Sequence, residues 1–290
     1  MVSSIKPDWF KRRAPDPTVI TKMKELMDTL KLHTVCESAH CPNQGECFAR
    51  KVATFMILGD ICKRNCTFCA VQHGKPLAVD TNEPEHIVAA VKKLGLRHVV
   101  ITSVTRDDLS DGGANQFAEV VKGIHNYDST ISVEVLIPDF EGSISALKIV
   151  ADSSPEVINH NIETVPRLYP QVRPQASYGG SLQLLKNVKN IERSLITKSG
   201  LMLGLGEERE EVIQVMKDLR DVGCDFLTIG QYLRPSSNHH EVVRYVPPAE
   251  FDEYGDIGKS MGFKGVASSP YVRSSFQADK MFADADSTDE

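Results

Sequence analysis

From residue 53 onward, apolar and polar positions follow two alternating periods. Short runs rich in β-branched residues read as buried strands: "ATFMIL" (53–58), "HVVITS" (98–103), "ISVEVLI" (131–137), "VINHNIE" (157–163), "TKSGLML" (197–203) and "FLTIGQYL" (226–233). The segments between them carry helical spacing. Val212, Val215, Met216, Leu219 and Val222 recur at three- and four-residue steps, which predicts an amphipathic helix over 208–222. "EPEHIVAAVKKLG" opens with acids and closes with two lysines and a glycine, the charge order and terminator that a helix favours.

Strand followed by helix, with connections too long for hairpins, predicts the α/β class with a parallel sheet. Six such units are too few for a complete eight-stranded barrel. The expectation is therefore a partial (β/α)6 TIM-type barrel over residues 53–262. "GVASSP" (265–270) is either a further strand or a loop. Residues 1–52 are polar and cysteine-bearing and predict an extension packed on the barrel. Residues 263–290 form a C-terminal extension that closes on the acidic "ADADSTDE".

Composition narrows the partners. The chain has 290 residues, 41% of them hydrophobic, enough to bury a core without covalent staples. A formal net charge of -6 argues against a general nucleic-acid or anionic-membrane surface. Only "KPDWFKRR" (6–13) is basic, and there Trp9 with the Lys-Arg-Arg after it either clamps the N-terminal arm or meets an acidic protein. The first residues hold no apolar run of signal-peptide length, and "FMIL" is too short to span a bilayer. The expected setting is the cytoplasm, where clustered cysteines serve as ligands rather than disulfides.

Six of the seven cysteines fall in two trios. Cys36, Cys41 and Cys47 lie in "CESAHCPNQGEC", while Cys62, Cys66 and Cys69 lie in "CKRNCTFC". Cys224 stands apart in an apolar context and reads as a buried, inert thiol. A structural zinc wants four ligands in a closed tetrahedron, which neither trio supplies and the pool of six does not fit. A [4Fe–4S] cluster takes four soft donors, one per iron. Three thiolates on one short loop leave a fourth iron open to a substrate or cofactor. The second trio follows the first predicted strand through Gly59 and Asp60, where the mouth of a barrel lies.

The C-x3-C-x2-C spacing with Phe68 before its last cysteine resembles the signature of the radical S-adenosylmethionine enzymes. That resemblance implies that the open iron chelates the amino and carboxylate groups of S-adenosylmethionine. An electron from the cluster then cleaves the sulfonium to a 5′-deoxyadenosyl radical, while the protein orients the pieces and excludes water. The upstream C-x4-C-x5-C narrows the resemblance to the lipoyl synthase family. "ATFMILGDIC", "VVITSVTRDDLSDGGA", "NHNIETVPRLYPQVRP", "TKSGLMLGLGE", "LTIGQYLRPS" and "YVRSSF" match it too, so the likeness runs from about residue 6 to 280.

The family resemblance implies a second, auxiliary [4Fe–4S] cluster on Cys36, Cys41, Cys47 and a serine of an Arg-Ser-Ser-Tyr motif. Arg273, Ser274, Ser275 and Phe276 occupy that motif here, which makes Ser275 the implied ligand. The sequence departs at Phe276, usually tyrosine, and at Ser269, where glycine is common. Oxygen is a poorer match than thiolate for cluster iron, and a ligand able to let go suits a cluster consumed as sulfur donor. The implied reaction inserts sulfur at C6 and C8 of an octanoyl chain amide-linked to a lysine. The implied partners are an octanoylated lipoyl-carrier protein (an E2 subunit domain or the glycine cleavage H protein) and a reducing electron donor. A biotin-synthase-type enzyme is opposed by the first trio and "RSSF", and an electron carrier by two incomplete cysteine sets.

Ser103, Glu163 and Arg173 are candidate contacts for the carboxylate, amine or ribose of S-adenosylmethionine, because each is placed near a strand end. "GLMLGLGE" (200–207) lacks a following Gly-Lys-Ser/Thr, so its glycines predict close approach to the adenosine rather than a triphosphate cradle. His160 and the His239–His240 pair read as ordinary polar or loop histidines.

Overall fold

The computed structural model describes residues 6–10 and 16–286. Seven strands, β1 (Thr54–Ile57), β2 (His98–Ser103), β3 (Ser132–Leu136), β4 (Val157–Asn159), β5 (Ile196–Leu203), β6 (Phe226–Gln231) and β7 (Gly265–Ser268), lie side by side in chain order. Every neighbouring pair is parallel. A two-residue strand, His33–Thr34, covers the free edge of β1 in antiparallel sense. Three helices precede the barrel: α1 (Pro17–Thr29), α2 (Val35–Ser38) and α3 (Gln44–Ala49). Six longer ones cross between successive strands: α4 (Glu83–Leu94), α5 (Ala114–Tyr127), α6 (Ile144–Asp152), α7 (Tyr178–Ile191), α8 (Arg209–Asp221) and α9 (Pro248–Ser260); a single helical turn, Tyr169–Val172, precedes α7, and α10 (Ala278–Asp286) follows β7. The architecture is the expected α/β partial barrel of six βα units, and "GVASSP" supplies one more strand, so the sheet continues past residue 262.

The helices form where the spacing places them. Val212, Val215, Met216 and Leu219 of α8 are fully buried, each such side chain contributing about 1.5–3 kcal/mol. Glu208 and Glu211 close a capping box at its start. Helix α4 stops at Gly95, whose φ of 68° is left-handed and therefore suits glycine. Strand β4 is shorter than expected: "VINHNIE" pairs only through Asn159, and Glu163 rejoins the sheet as an isolated bridge to Leu201.

Alternation sends Val99, Ile101, Val133 and Val135 towards the helices. Their neighbours, Thr54, Met56, Thr102, Glu134, Asn159 and Lys198, face the barrel interior. There Lys198 Nζ meets both Glu134 carboxylate oxygens at 2.9 and 3.0 Å, with each side chain 1% exposed. Beyond β7 the chain becomes a strap. Ser269 N donates to Ile229 O, Gln231 N donates to Pro270 O, and a Cβ on Gly230 would collide with the Val272 carbonyl. The N-terminal arm is anchored by Phe10, packed on Tyr245 and Tyr271 at 5.5 and 5.2 Å between ring centroids. Trp9 is 42% exposed, and Lys11, Arg12 and Arg13 lie outside the described residues. Among the described residues no helix is long and apolar enough to cross a membrane.

Candidate active site

A cavity of about 350 Å³ opens at the C-terminal ends of the strands. Cys62, Cys66, Cys69, Phe68, Ser103, Glu163 and Arg173 all line it, and so do Cys36, Cys41, Ser274 and Ser275. A smaller cavity beside it is walled by Cys36, Cys41, Cys47, Thr54, Ser275 and Phe276. Residues from three distant parts of the sequence thus meet around one space. All seven cysteines are free thiols.

The loop bearing Cys62, Cys66 and Cys69 is held from several sides. Ile61–Cys62 pairs in parallel with Gln72–His73, and Gly74 N donates to Cys62 O at 2.9 Å. Arg64, inside the loop, grips Asp107 beyond β2 (Nε–Oδ2 2.8 Å, Nη2–Oδ1 3.0 Å) and Asp139 beyond β3 (Nη1–Oδ2 and Nη2–Oδ1, both 2.7 Å). Thr67 N donates to Val172 O at 3.0 Å, and Asn65 N donates to Gln175 Oε1 at 2.9 Å. His240 N donates to Thr67 O at 2.8 Å, and the His239 ring pairs with Cys69 O at 3.0 Å. These contacts occupy the backbone and leave the thiols to the cavity. Cys62 Sγ alone of the trio accepts two backbone N–H groups, from Arg64 at 3.4 Å and Thr105 at 3.3 Å.

Burial pushes the Cys36 thiol up to about 11 and those of Cys47 and Cys69 up to about 12, and it raises Cys66 too. Metal binding at such thiols must displace protons. Desolvation likewise raises the Glu163 carboxyl, against the opposing pull of Arg173. Glu163 holds a left-handed φ of 66°, strain of the kind found at functional sites. Arg173 Nη1 donates to Asn161 O at 2.9 Å and to the Tyr169 hydroxyl at 3.2 Å, but its Nε is buried without a partner. Ser103 Oγ is a second buried orphan on the same cavity. Such groups are costly unless something polar completes them.

His160 is structural: it bonds Ile137 O at 2.9 Å and Ser181 Oγ at 3.0 Å, and burial lowers its pKa to about 4. His239 and His240 are loop residues, as expected, with the added task of bracing the cysteine loop. Cys224 is fully buried, its thiol pushed up to about 12 by burial. Two glycines of "GLMLGLGE" lie close against protein neighbours, which accounts for glycine there without bearing on the adenosine expectation. A Cβ on Gly200 would meet Asn161 and Thr228, and one on Gly204 would meet Gln231 and the Arg244 carbonyl. Ser269 shows no positive φ that would demand glycine. Sequence reasoning missed Arg64, Asp107, Asp139, Thr54 and Asn161. The Lys-Arg pair in "CKRNC" and the acids in "RDD" and "IPD", opposite charges on successive barrel loops, were the only trace of the first three in the sequence.

Comparison with known proteins bears on this arrangement. The family model described as the Radical SAM superfamily matches residues 56–219. A lipoyl synthase from Caldanaerobacter subterraneus subsp. tengcongensis is 56% identical over 274 residues, covering 94% of this chain and 96% of the relative. One from Alkaliphilus metalliredigens is 54% identical over 273 residues, 94% of each. The chain belongs to the lipoyl synthase family. Among solved structures, HydG, a maturase of the [FeFe]-hydrogenase, aligns with a TM-score of 0.59 at 15% identity, over 73% of this chain and 50% of that one. Streptococcus suis SuiB bound to S-adenosylmethionine aligns at 0.56 and 12%, over 75% and 50%. At such identities these two neighbours speak for the fold alone. A lipoyl synthase family member is a radical S-adenosylmethionine enzyme, which implies a [4Fe–4S] cluster, S-adenosylmethionine and a lipoyl-carrier protein as substrate. The residues fit such cofactors: three free thiols on one braced loop share a cavity with two orphaned polar atoms, Ser103 Oγ and Arg173 Nε.

Proposed function

We propose that this enzyme inserts sulfur at C6 and C8 of an octanoyl chain carried on a lysine of its carrier protein. In this reading Cys62, Cys66 and Cys69 hold the cluster that engages S-adenosylmethionine. Cys36, Cys41, Cys47 and Ser275 hold a second cluster, the sulfur donor. The observation that carries the reading is the shared space: Cys62, Cys66 and Cys69 face one cavity with Cys36, Cys41 and Ser275, and Cys47 joins those last three in the smaller cavity beside it, although residues 36 and 275 lie at opposite ends of the chain.

When bound, the reduced cluster and S-adenosylmethionine supply the one-electron chemistry that removes hydrogen from an unactivated C–H bond. The chain's own groups do the placing. Ser103 Oγ and Arg173 Nε offer hydrogen bonds to the polar end of the cofactor, Glu163 offers a carboxylate to its amine or ribose, and Phe68 packs beside it. Met56, Leu136 and Met202 form an apolar wall that suits an octanoyl chain and keeps water away. Thr54 Oγ1 donates to Ser275 Oγ at 2.8 Å and so aims the hydroxyl beside the upstream trio. The chain divides by role into residues 1–52, which bring the upstream cysteines, the barrel over 53–262, and 263–290, which bring Ser275. A reducing cytoplasmic setting with an electron donor suits six free thiols.

Anaerobic reconstitution with iron and sulfide should give about eight irons per chain, four for each cluster. The reduced protein should cleave S-adenosylmethionine and convert an octanoyl-lysine peptide to the dithiolane, read by mass. Four irons per chain, or cleavage with no sulfur gained by the peptide, would refute the assignment.

A further inference from the structure

Asn161 stands between the two halves of the cavity and touches both. On the cofactor side its Nδ2 donates to Glu163 Oε1 at 3.1 Å, and its main-chain carbonyl accepts from Arg173 Nη1 at 2.9 Å. On the opposite side its Oδ1 accepts from Ser274 Oγ at 2.8 Å. Ser274 in turn accepts from Asn159 Nδ2 at 2.8 Å, and the same amide donates to Glu134, which Lys198 holds. The sense of this chain follows from its chemistry. With its Nδ2 spent on Glu163, the Asn161 amide has its Oδ1 left to accept from the Ser274 hydroxyl.

Strand β5 leaves room for that amide. A Cβ on Gly200 would stand 2.7 Å from Asn161 Oδ1 and 2.9 Å from Thr228 Oγ1, closer than real side chains come. Ser275 follows Ser274 directly and is tethered separately, by Thr54. Two anchors on adjacent residues therefore set the direction of the Ser275 hydroxyl, and one of them runs through the residue that also holds Glu163 and Arg173.

Building on the two-cluster reading above, we infer that Asn161 and Ser274 couple the S-adenosylmethionine pocket to the Ser275 corner of the second site. A ligand that draws on Glu163 or Arg173 shifts the Asn161 amide, and Ser274 passes the shift to Ser275. Neither Asn161 nor Ser274 is a ligand or a catalytic residue; both are positioning residues. The coupling acts in both directions, so filling the upstream site also steadies Glu163.

The full chain carrying Cys62→Ala, Cys66→Ala and Cys69→Ala isolates the upstream site, which should bind about four irons after anaerobic reconstitution. Release of that iron to a chelator is then timed. Glu163→Ala should speed release about fivefold, the effect of one lost hydrogen bond. Ser274→Ala should do the same, the two together should be no faster than either, and Ser274→Thr should restore the slow rate. Gly200→Ala should reach the same fast rate by displacing the Asn161 amide from the side of β5. A rate unmoved by Glu163→Ala, or effects of the pair that multiply to about 25-fold as independent sites do, overturns the coupling alone. Failure of the three-alanine background to bind iron overturns the two-cluster reading and the coupling with it.

Discussion

Arg64 shows how one side chain can fix a reactive loop. Its guanidinium, 7% exposed, neutralises two carboxylates from different barrel loops and ties both to the residue between Cys62 and Cys66. Burial alone would raise the Asp139 carboxyl, but the hydrogen bonds and charge of Arg64 override it and hold it below the usual carboxylate range. A depressed folded pKa contributes stability that is present above the unfolded value of about 4 and lost as pH falls through the folded one. Arg64→Ala should cost about 3 kcal/mol near neutral pH, because it strands two half-desolvated acids. It should also flatten the acid limb of stability between about pH 5 and 2; urea midpoints across that range read both effects. None of this could be seen from local pattern. The partners lie 43 and 75 residues from Arg64, and a charged residue between cysteines looks like any solvated loop.

At the scale of elements, the strands and helices were legible because their signals are local. The apolar face of α8 and the terminator of α4 formed where the spacing and Gly95 put them. "VINHNIE" misled because its apolar alternation runs on after the chain has left strand geometry, with Glu163 turned to a positive φ. The strap after β7 was legible only through family likeness, since two adjacent serines carry no periodic signal of their own. Its seat depends on Gly230, where a methyl group would strike the Val272 carbonyl. On the two-cluster proposal, Gly230→Ala should therefore lift the strap and lower bound iron from about eight to about four per chain. Reductive cleavage of S-adenosylmethionine should survive, a pairing that iron and 5′-deoxyadenosine assays would check together.

The whole molecule rests on a polar barrel interior. Lys198 and Glu134 are both 1% exposed, so removing one leaves the other's charge buried without its counter-ion. Lys198→Met alone should cost about 3–5 kcal/mol, and adding Glu134→Leu should recover most of the loss, as denaturant midpoints would show. The site above that floor was half legible. Cysteine spacing announced both trios, whereas their meeting with Ser275 around two adjoining cavities depends on the barrel's closure. That convergence has a consequence for how the protein is made. Residues 36–47 leave the ribosome long before residue 275 is synthesised, so the wall they share with it cannot exist until residue 275 has been made. Any inorganic cargo destined for that wall has to wait for residue 275, and a product truncated before it would be born unable to receive it.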